Sequence, residues 1–204
     1  MKLEDLDSQK PAFDLDAIAN NTSLDANSTK KLTDALTTAL KFTLKWEGGF
    51  ANHPNSPGGA TNKGITQKTY NIYRTNKKLP TTSVELIGDE EVLEIYRDMF
   101  WKPSRAELMI LPLAVVQFDT AVLVGVGSSI KLLQSALKLT ADGLFGPKTE
   151  AALRKNNSLE TAIEVINLRV VYYKQRVAEN PNQKVFLQGW LKRANDLKNL
   201  VSSF

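Results

Sequence analysis

Glu47 is the side chain best placed for acid–base chemistry, in the stretch KWEGGFANHPNSPGGATNKGIT from Lys45 to Thr66. Projected at about 100° per residue, the preceding segment sets Leu32, Leu36, Leu40, Thr43 and Leu44 on one face, with Ala35, Ala39, Phe42 and Trp46 beside them. Glu47 falls in the middle of that apolar arc, whereas Lys31, Lys41 and Lys45 fall opposite. A carboxylate aimed at a core face is costly unless it is paired, protonated or open to a cleft. A carboxyl group kept protonated by apolar neighbours, here Phe42, Leu44, Trp46 and Phe50, suits proton donation to a leaving oxygen near neutral pH. The alternative is a helix-terminal side chain that turns into water. Gly48 and Gly49 are expected to end the helix and turn the backbone away, leaving Glu47 at the lip of a groove.

The tract from Asn52 to Gly64 is rich in Gly, Pro and Asn and nearly free of large apolar residues, so it reads as an irregular loop or loose hairpin beside the acid. His53, Ser56, Thr61 and Asn62 are its candidates for positioning a water or touching a substrate. Tyr70 and Tyr73 sit at i, i+3 spacing on a short helix over 67–73. Such a pair can stack on sugar rings, although core packing is its commoner fate. Asp119 lies in the nearly all-apolar segment 113–124 and must be hydrogen-bonded there, as an acid holding backbone or as a substrate contact.

Other chemistries are poorly supported. The chain has no cysteine and one histidine, which removes disulfides, thiolate catalysis and the usual zinc ligand sets. No basic block is interleaved with aromatics, so nucleic acid is not an expected partner. Val124-Gly125-Val126-Gly127 lacks the spacing and context of a dinucleotide-binding turn and is expected to break a helix. The loop at Asp142 has one acid where a calcium-binding hand needs several. A net charge of +4 suits attraction to an anionic polymer, and equally suits plain solubility.

Several phrases extend the argument beyond spacing. Glu47-Gly48-Gly49-Phe50, followed by Pro57-Gly58-Gly59-x-Thr61-Asn62-x-Gly64-Ile65-Thr66, resembles glycoside hydrolase family 108, N-acetylmuramidases of the phage-endolysin and secretion-linked kind. The helix ending Tyr96-Arg97-Asp98-Met99-Phe100-Trp101, the segment 118–122, and Phe186-x-x-Gly189-Trp190-x-x-Arg193 are also similar to that family, so the resemblance runs from about residue 36 to about residue 197. Asp142-Gly143-x-x-Gly146-x-x-Thr149 resembles the signature of small helical peptidoglycan-binding modules. The resemblance implies a mainly α, lysozyme-like fold with at most a small β-hairpin near Ile65. It further implies cleavage of the β-1,4 bond between N-acetylmuramic acid and N-acetylglucosamine, with Glu47 as general acid, bacterial peptidoglycan as partner and no cofactor.

The chain departs from the family where members usually carry Asp, at His53 and Ser56, where they carry an acid, at Ala60, and where they often carry Asn, at Leu123. Without a carboxylate at Ser56 the two-carboxylate scheme is incomplete. Ser56, Thr61 or Asn62 would then position the attacking water. The alternative is a degenerate relative that only binds peptidoglycan, or a structural part of a cell-wall-crossing machine.

The elements needed to hold Glu47 are mostly helical. With 204 residues, 42% hydrophobic and 24% charged, the chain can bury a core as one domain or two packed lobes. Residues 1–27 read as a loosely ordered arm, 28–110 as the catalytic lobe and 111–204 as a helical wall-binding lobe. The arm lacks a secretory signal or membrane anchor, so synthesis in the cytoplasm and action at the wall after release or machine-linked export are expected, with the arm able to dock on that machinery. Ser28 or Thr29 is the expected N-cap of the Glu47 helix, and Asp89 that of a helix through Trp101. Helices are also expected over 113–124 and 128–139. A stripe of Leu159, Ile163, Ile166, Val170, Tyr173 and Val177 marks the next helix, and Phe186, Trp190, Leu197 and Val201 the last.

Overall fold

The computed structural model describes residues 26–52 and 59–204, and for residues 26–33 the backbone alone. Among these, the fold is mainly α, with eight α-helices and one two-stranded hairpin. Helix α1, Ala26–Trp46, begins ahead of Ser28 and Thr29, so both lie within its first turn rather than at its cap. It buries Leu36, Ala39, Leu40, Phe42 and Thr43, the face that the projection indicates. Gly48 and Gly49 follow it without positive φ, and a Cβ on either would meet nothing. Their glycine identity is therefore not required by the turn itself.

Strands β1, Thr61–Asn62, and β2, Ile65–Thr66, pair antiparallel, Thr61 with Thr66 and Asn62 with Ile65. Lys63 and Gly64 between them have φ of 49° and 75°, the mirror-image two-residue turn whose twist matches that of paired strands. Thr61 also exchanges both backbone hydrogen bonds with Ala51, at 2.8 Å each, which ties the hairpin to the chain leaving α1. Thr66 caps α2, Gln67–Asn76, by accepting from the Thr69 amide. The helix thus runs past Tyr73, the expected end of the short helix over 67–73. Helix α3, Asp89–Tyr96, continues into a π-helical turn over Arg97–Trp101. Its N-cap is Gly88 rather than Asp89, with the Glu91 carboxylate accepting from the Gly88 amide.

Helix α4, Leu111–Val124, is the axis of the molecule. Its residues 113–121 are buried without interruption, because α1, α5 (Val126–Ala136), α7 (Leu159–Glu179) and α8 (Lys184–Val201) pack around it. Gly125, at φ 86°, ends it, whereas Gly127 lies inside α5. None of the described helices is long and apolar enough to cross a membrane.

Helix α6, Pro147–Lys155, starts on Gly146-Pro147 and completes a corner with α5. Gln134 holds this corner. Its amide nitrogen donates to Asp142 Oδ1 (2.7 Å), the Leu144 carbonyl (3.0 Å) and Thr149 Oγ1 (3.1 Å), and its oxygen accepts from the Gly143 amide at 2.8 Å.

The last two helices differ from expectation, α7 in the phase of its buried stripe and α8 in how far toward its start the burial extends. On α7 the buried stripe is Ala162, Val165, Ile166, Arg169 and Tyr173, with the guanidinium of Arg169 at its centre. On α8 the core face is Arg193, Ala194, Leu197 and Val201, while Phe186 is 58% exposed instead of buried.

Candidate active site

Glu47 stands one residue beyond α1, its side chain 23% exposed. Of the apolar neighbours expected from local periodicity, Phe50 points outward at 45% exposure, while Arg193 reaches across from α8 to donate from Nη1 to Glu47 Oε1 at 3.1 Å. Oε2 accepts no hydrogen bond among the described residues. It lies beside Gly64, where an added methyl would come within 3.1 Å of Oε2 and of Cγ and would overlap the Tyr96 hydroxyl. Positive φ and this close approach together fix glycine at 64. The hairpin turn is thereby pressed against the acid.

Arg193 is itself anchored. Its Nη2 and Nε donate to Asp119 Oδ1 at 2.6 and 3.2 Å, and Arg169 Nη1 donates to Asp119 Oδ2 at 2.7 Å. Thr43, one turn before Glu47, donates to Asp119 Oδ1 at 3.0 Å, and Arg169 Nε donates to the Tyr173 hydroxyl. Burial pushes the Asp119 carboxyl up, but the two guanidiniums overcome it and hold the group below its ordinary range. The result is an Arg169–Asp119–Arg193–Glu47 chain of alternating charge, buried at one end and open at the other.

The open end is a pocket of about 210 Å³ lined by Glu47, Gly64, Thr69, Tyr96, Phe100 and Leu123, among others. Among the described residues, Glu47 is the only carboxylate in that lining. Tyr96 donates to the Lys63 carbonyl at 2.9 Å, and burial, followed by the Glu47 charge, raises its pKa. It acts as a post under the turn. The adjoining π-helical turn brings Met99 and Phe100 into the same wall, a distortion often found beside functional sites.

Of the residues singled out from sequence, His53 and Ser56 lie outside the described residues. Asn62 does not reach the pocket as a water-positioning group: it is buried, and its amide nitrogen donates to the Val84 and Glu85 carbonyls at 3.2 and 3.1 Å. Thr61 lies in the strand beside it and is absent from the pocket lining. Tyr70 is fully buried, donating to Glu91 at 2.5 Å, so it cannot stack on a sugar. Tyr73 donates to Glu94 at 2.7 Å and lines a separate depression with Ile72 and Asn76. Asp119 is fully buried and saturated by two arginines, which excludes substrate contact.

Three functional residues are not evident from sequence patterning. Arg193 and Arg169 sit on apolar stripes at helical spacing, Arg193 with Leu197 and Val201, Arg169 with Ile166 and Tyr173, and such cations signal a buried anion. Thr69 lines the Glu47 pocket, its hydroxyl 3.0 Å from that of Thr66. No sequence signal separates it from Thr61.

Residues 40–125 match the family model described as Glycosyl hydrolase 108, and residues 128–195 match the one described as Predicted Peptidoglycan domain. The two segments meet at the Gly125 break between α4 and α5. No curated protein matches the chain. Among solved structures, SagA from Brucella abortus is similar, with 26% identity over 84% of this chain and 95% of that one and a TM-score of 0.67.

Proposed function

We propose, for a chain that joins a glycosyl hydrolase 108 segment to a peptidoglycan segment, that it cleaves the β-1,4 bond between N-acetylmuramic acid and N-acetylglucosamine with Glu47 as general acid. The observation that carries this reading is the Glu47 carboxylate itself. Among the described residues it is the only one lining its pocket, fixed through Oε1 by Arg193 and without a hydrogen bond at Oε2.

Glu47 Oε2 passes a proton to the glycosidic oxygen while the bond from that oxygen to C1 of the muramic acid breaks. Protonation at Oε2 leaves the Arg193 bond to Oε1 in place, so the acid keeps its orientation through the step. A water adds to C1, its extra proton leaves to solvent, and solvent reprotonates Glu47. The products are a reducing N-acetylmuramic acid end and a free N-acetylglucosamine hydroxyl. No second carboxylate among the described residues lines the pocket to act as nucleophile, which favours direct attack by water over a covalent intermediate. Thr69 is the described hydroxyl in position to orient that water.

In this reading residues 28–110 form the catalytic lobe and 111–204 the wall-binding lobe, but they are not independent. The acid belongs to the first and its anchor, Arg193, to the second. The site of action is the bacterial cell wall.

Mass analysis of sacculi digested by the parent and by Glu47→Gln tests the proposal. The parent is expected to release fragments ending in reducing N-acetylmuramic acid and the variant almost none. Fragments ending in N-acetylglucosamine would move the cut to the other bond, and ends one water lighter would mean that the muramic acid's own hydroxyl attacks. A parent that binds sacculi and releases no ends would be a binder that has lost catalysis.

A further inference from the structure

A second pocket opens on the far side of Leu123. It holds about 330 Å³ between α7 and α8 and is lined by Leu123, Val124, Tyr172, Tyr173, Arg176, Gln183 and Trp190. Leu123 lines both pockets, so the two adjoin at that residue. Two of its polar groups lack partners. Among the described residues the exposed Arg176 guanidinium has no carboxylate partner, although every other arginine of α6, α7 and α8 has one. Among the described residues the Gln183 side-chain oxygen is buried and accepts no hydrogen bond, and a ligand N–H meets it once that side chain turns toward the pocket.

The aromatic residues here pack on one another. The Trp190 ring packs against Tyr173 at 5.2 Å and against Phe186 at 6.0 Å, and Tyr172 meets Tyr173 edge-on at 6.3 Å. A neutral sugar meets Arg176 only with uncharged oxygens, whereas a carboxylate also answers its charge. A ligand with a carboxylate for Arg176, an amide N–H for Gln183 and a small apolar part against Leu123 and Val124 answers all three groups.

We propose that this pocket is the seat of the peptide stem of peptidoglycan, with a stem carboxylate on Arg176 and a stem amide on Gln183. The inference rests on the wall-cleaving function proposed above and names the feature of the wall that positions the glycan over Glu47. Leu123 is then the point where the lactyl-linked peptide leaves the sugar strand, and an apolar residue suits that short aliphatic link. Arg176 acts on binding, not on the proton transfer.

The test uses the full chain carrying Glu47→Gln, so that the wall is not consumed. Its sedimentation is measured with intact sacculi and with sacculi whose stems have been removed by an amidase. Intact sacculi are expected to bind about tenfold more tightly, the equivalent of roughly 1.4 kcal/mol. Adding Arg176→Ala is expected to erase that difference while leaving binding to stem-free sacculi unchanged. Free L-alanyl-γ-D-glutamate should compete with intact sacculi, and a chitin oligosaccharide should not. Equal binding to both walls, full retention of the preference in Arg176→Ala, or competition by the oligosaccharide alone would overturn the proposal. Because none of these readings needs turnover, a failure of catalysis in the parent shows separately, as absent release of glycan ends.

Discussion

Two polar clusters organise this molecule, and they differ in how completely they are closed. At the α5–α6 corner, Gln134 uses both ends of its amide to tie Asp142, Gly143, Leu144 and Thr149 together, and the Asp142 carboxylate also accepts from the Leu144 amide at 2.8 Å. The conspicuous Asp-Gly-x-x-Gly-x-x-Thr phrase is spent on holding its own turn. At the centre, the Arg169–Asp119–Arg193 group is bonded inside except at Arg169 Nη2, which is buried without a partner among the described residues, and its last arginine reaches outward to Glu47 and leaves Oε2 unused. A motif whose polar atoms are all bonded within the protein builds structure. A motif with an atom left over in a pocket is equipped for chemistry.

Breaking the central cluster should have the largest effect. Asp119→Asn leaves Arg169 and Arg193 buried without their anion, and is expected to cost about 3–5 kcal/mol in denaturant unfolding. The pH dependence follows from the same group. Its carboxyl is held below its usual range in the native state, so its stabilisation is complete above the ordinary aspartate value of about 3.9. That contribution is lost only as pH falls through the lower native value. Acid titration of the parent should show this low-pH limb, and Asp119→Asn should lack it.

The closed corner should respond more weakly and without consequence for chemistry. Gln134→Leu removes the amide that satisfies Gly143 and Thr149, an expected loss of about 1–3 kcal/mol, with wall cleavage per folded molecule unchanged. Gly64→Ala tests the junction between fold and site. Its positive φ and the overlap with the Tyr96 hydroxyl should cost about 1–2 kcal/mol by thermal melting. Because the same methyl presses on Glu47 Cγ and Oε2, cleavage should fall further than the lost stability explains. Lys148→Ala, on the exposed side of the corner, should change stability by under about 0.5 kcal/mol. If that face meets the wall, sedimentation with sacculi should weaken a few-fold. If binding is unchanged, the corner is a buttress.

Much of this contrast is legible in the sequence, for identifiable reasons. Helix α4 is visible there because an apolar run without a polar face must be buried on all sides, whereas the Gly-, Pro- and Asn-rich tract leaves loop and hairpin both open and the small hairpin near Ile65 follows from the family resemblance. Asp119 is legible as an acid needing partners. Its partners are legible only in part, because Arg169 and Arg193 lie on the core faces of their helices but local periodicity does not link them to Asp119. Arg169 shares a stripe with Ile166 and Tyr173, and Arg193 with Leu197 and Val201, so one buried acid and two cations on core faces form a solvable pairing. The Glu47 environment is hidden for the same reason. Its neighbour is a cation 146 positions away in the chain, which local periodicity cannot supply. For Asn62 and Tyr70, residue type suggests a binding group, whereas strand alternation and helix phase turn both inward.

The central claim is that Glu47 donates a proton to the departing oxygen, and dependence on the leaving group tests it most directly. Parent and Glu47→Gln are compared on sacculi and on the same glycan carrying a nitrophenol leaving group, which departs without protonation. The account predicts that Glu47→Gln slows cleavage of sacculi by about 10²–10⁴-fold and of the nitrophenyl glycan by far less. Equal losses on the two substrates, or no loss on sacculi, would contradict it.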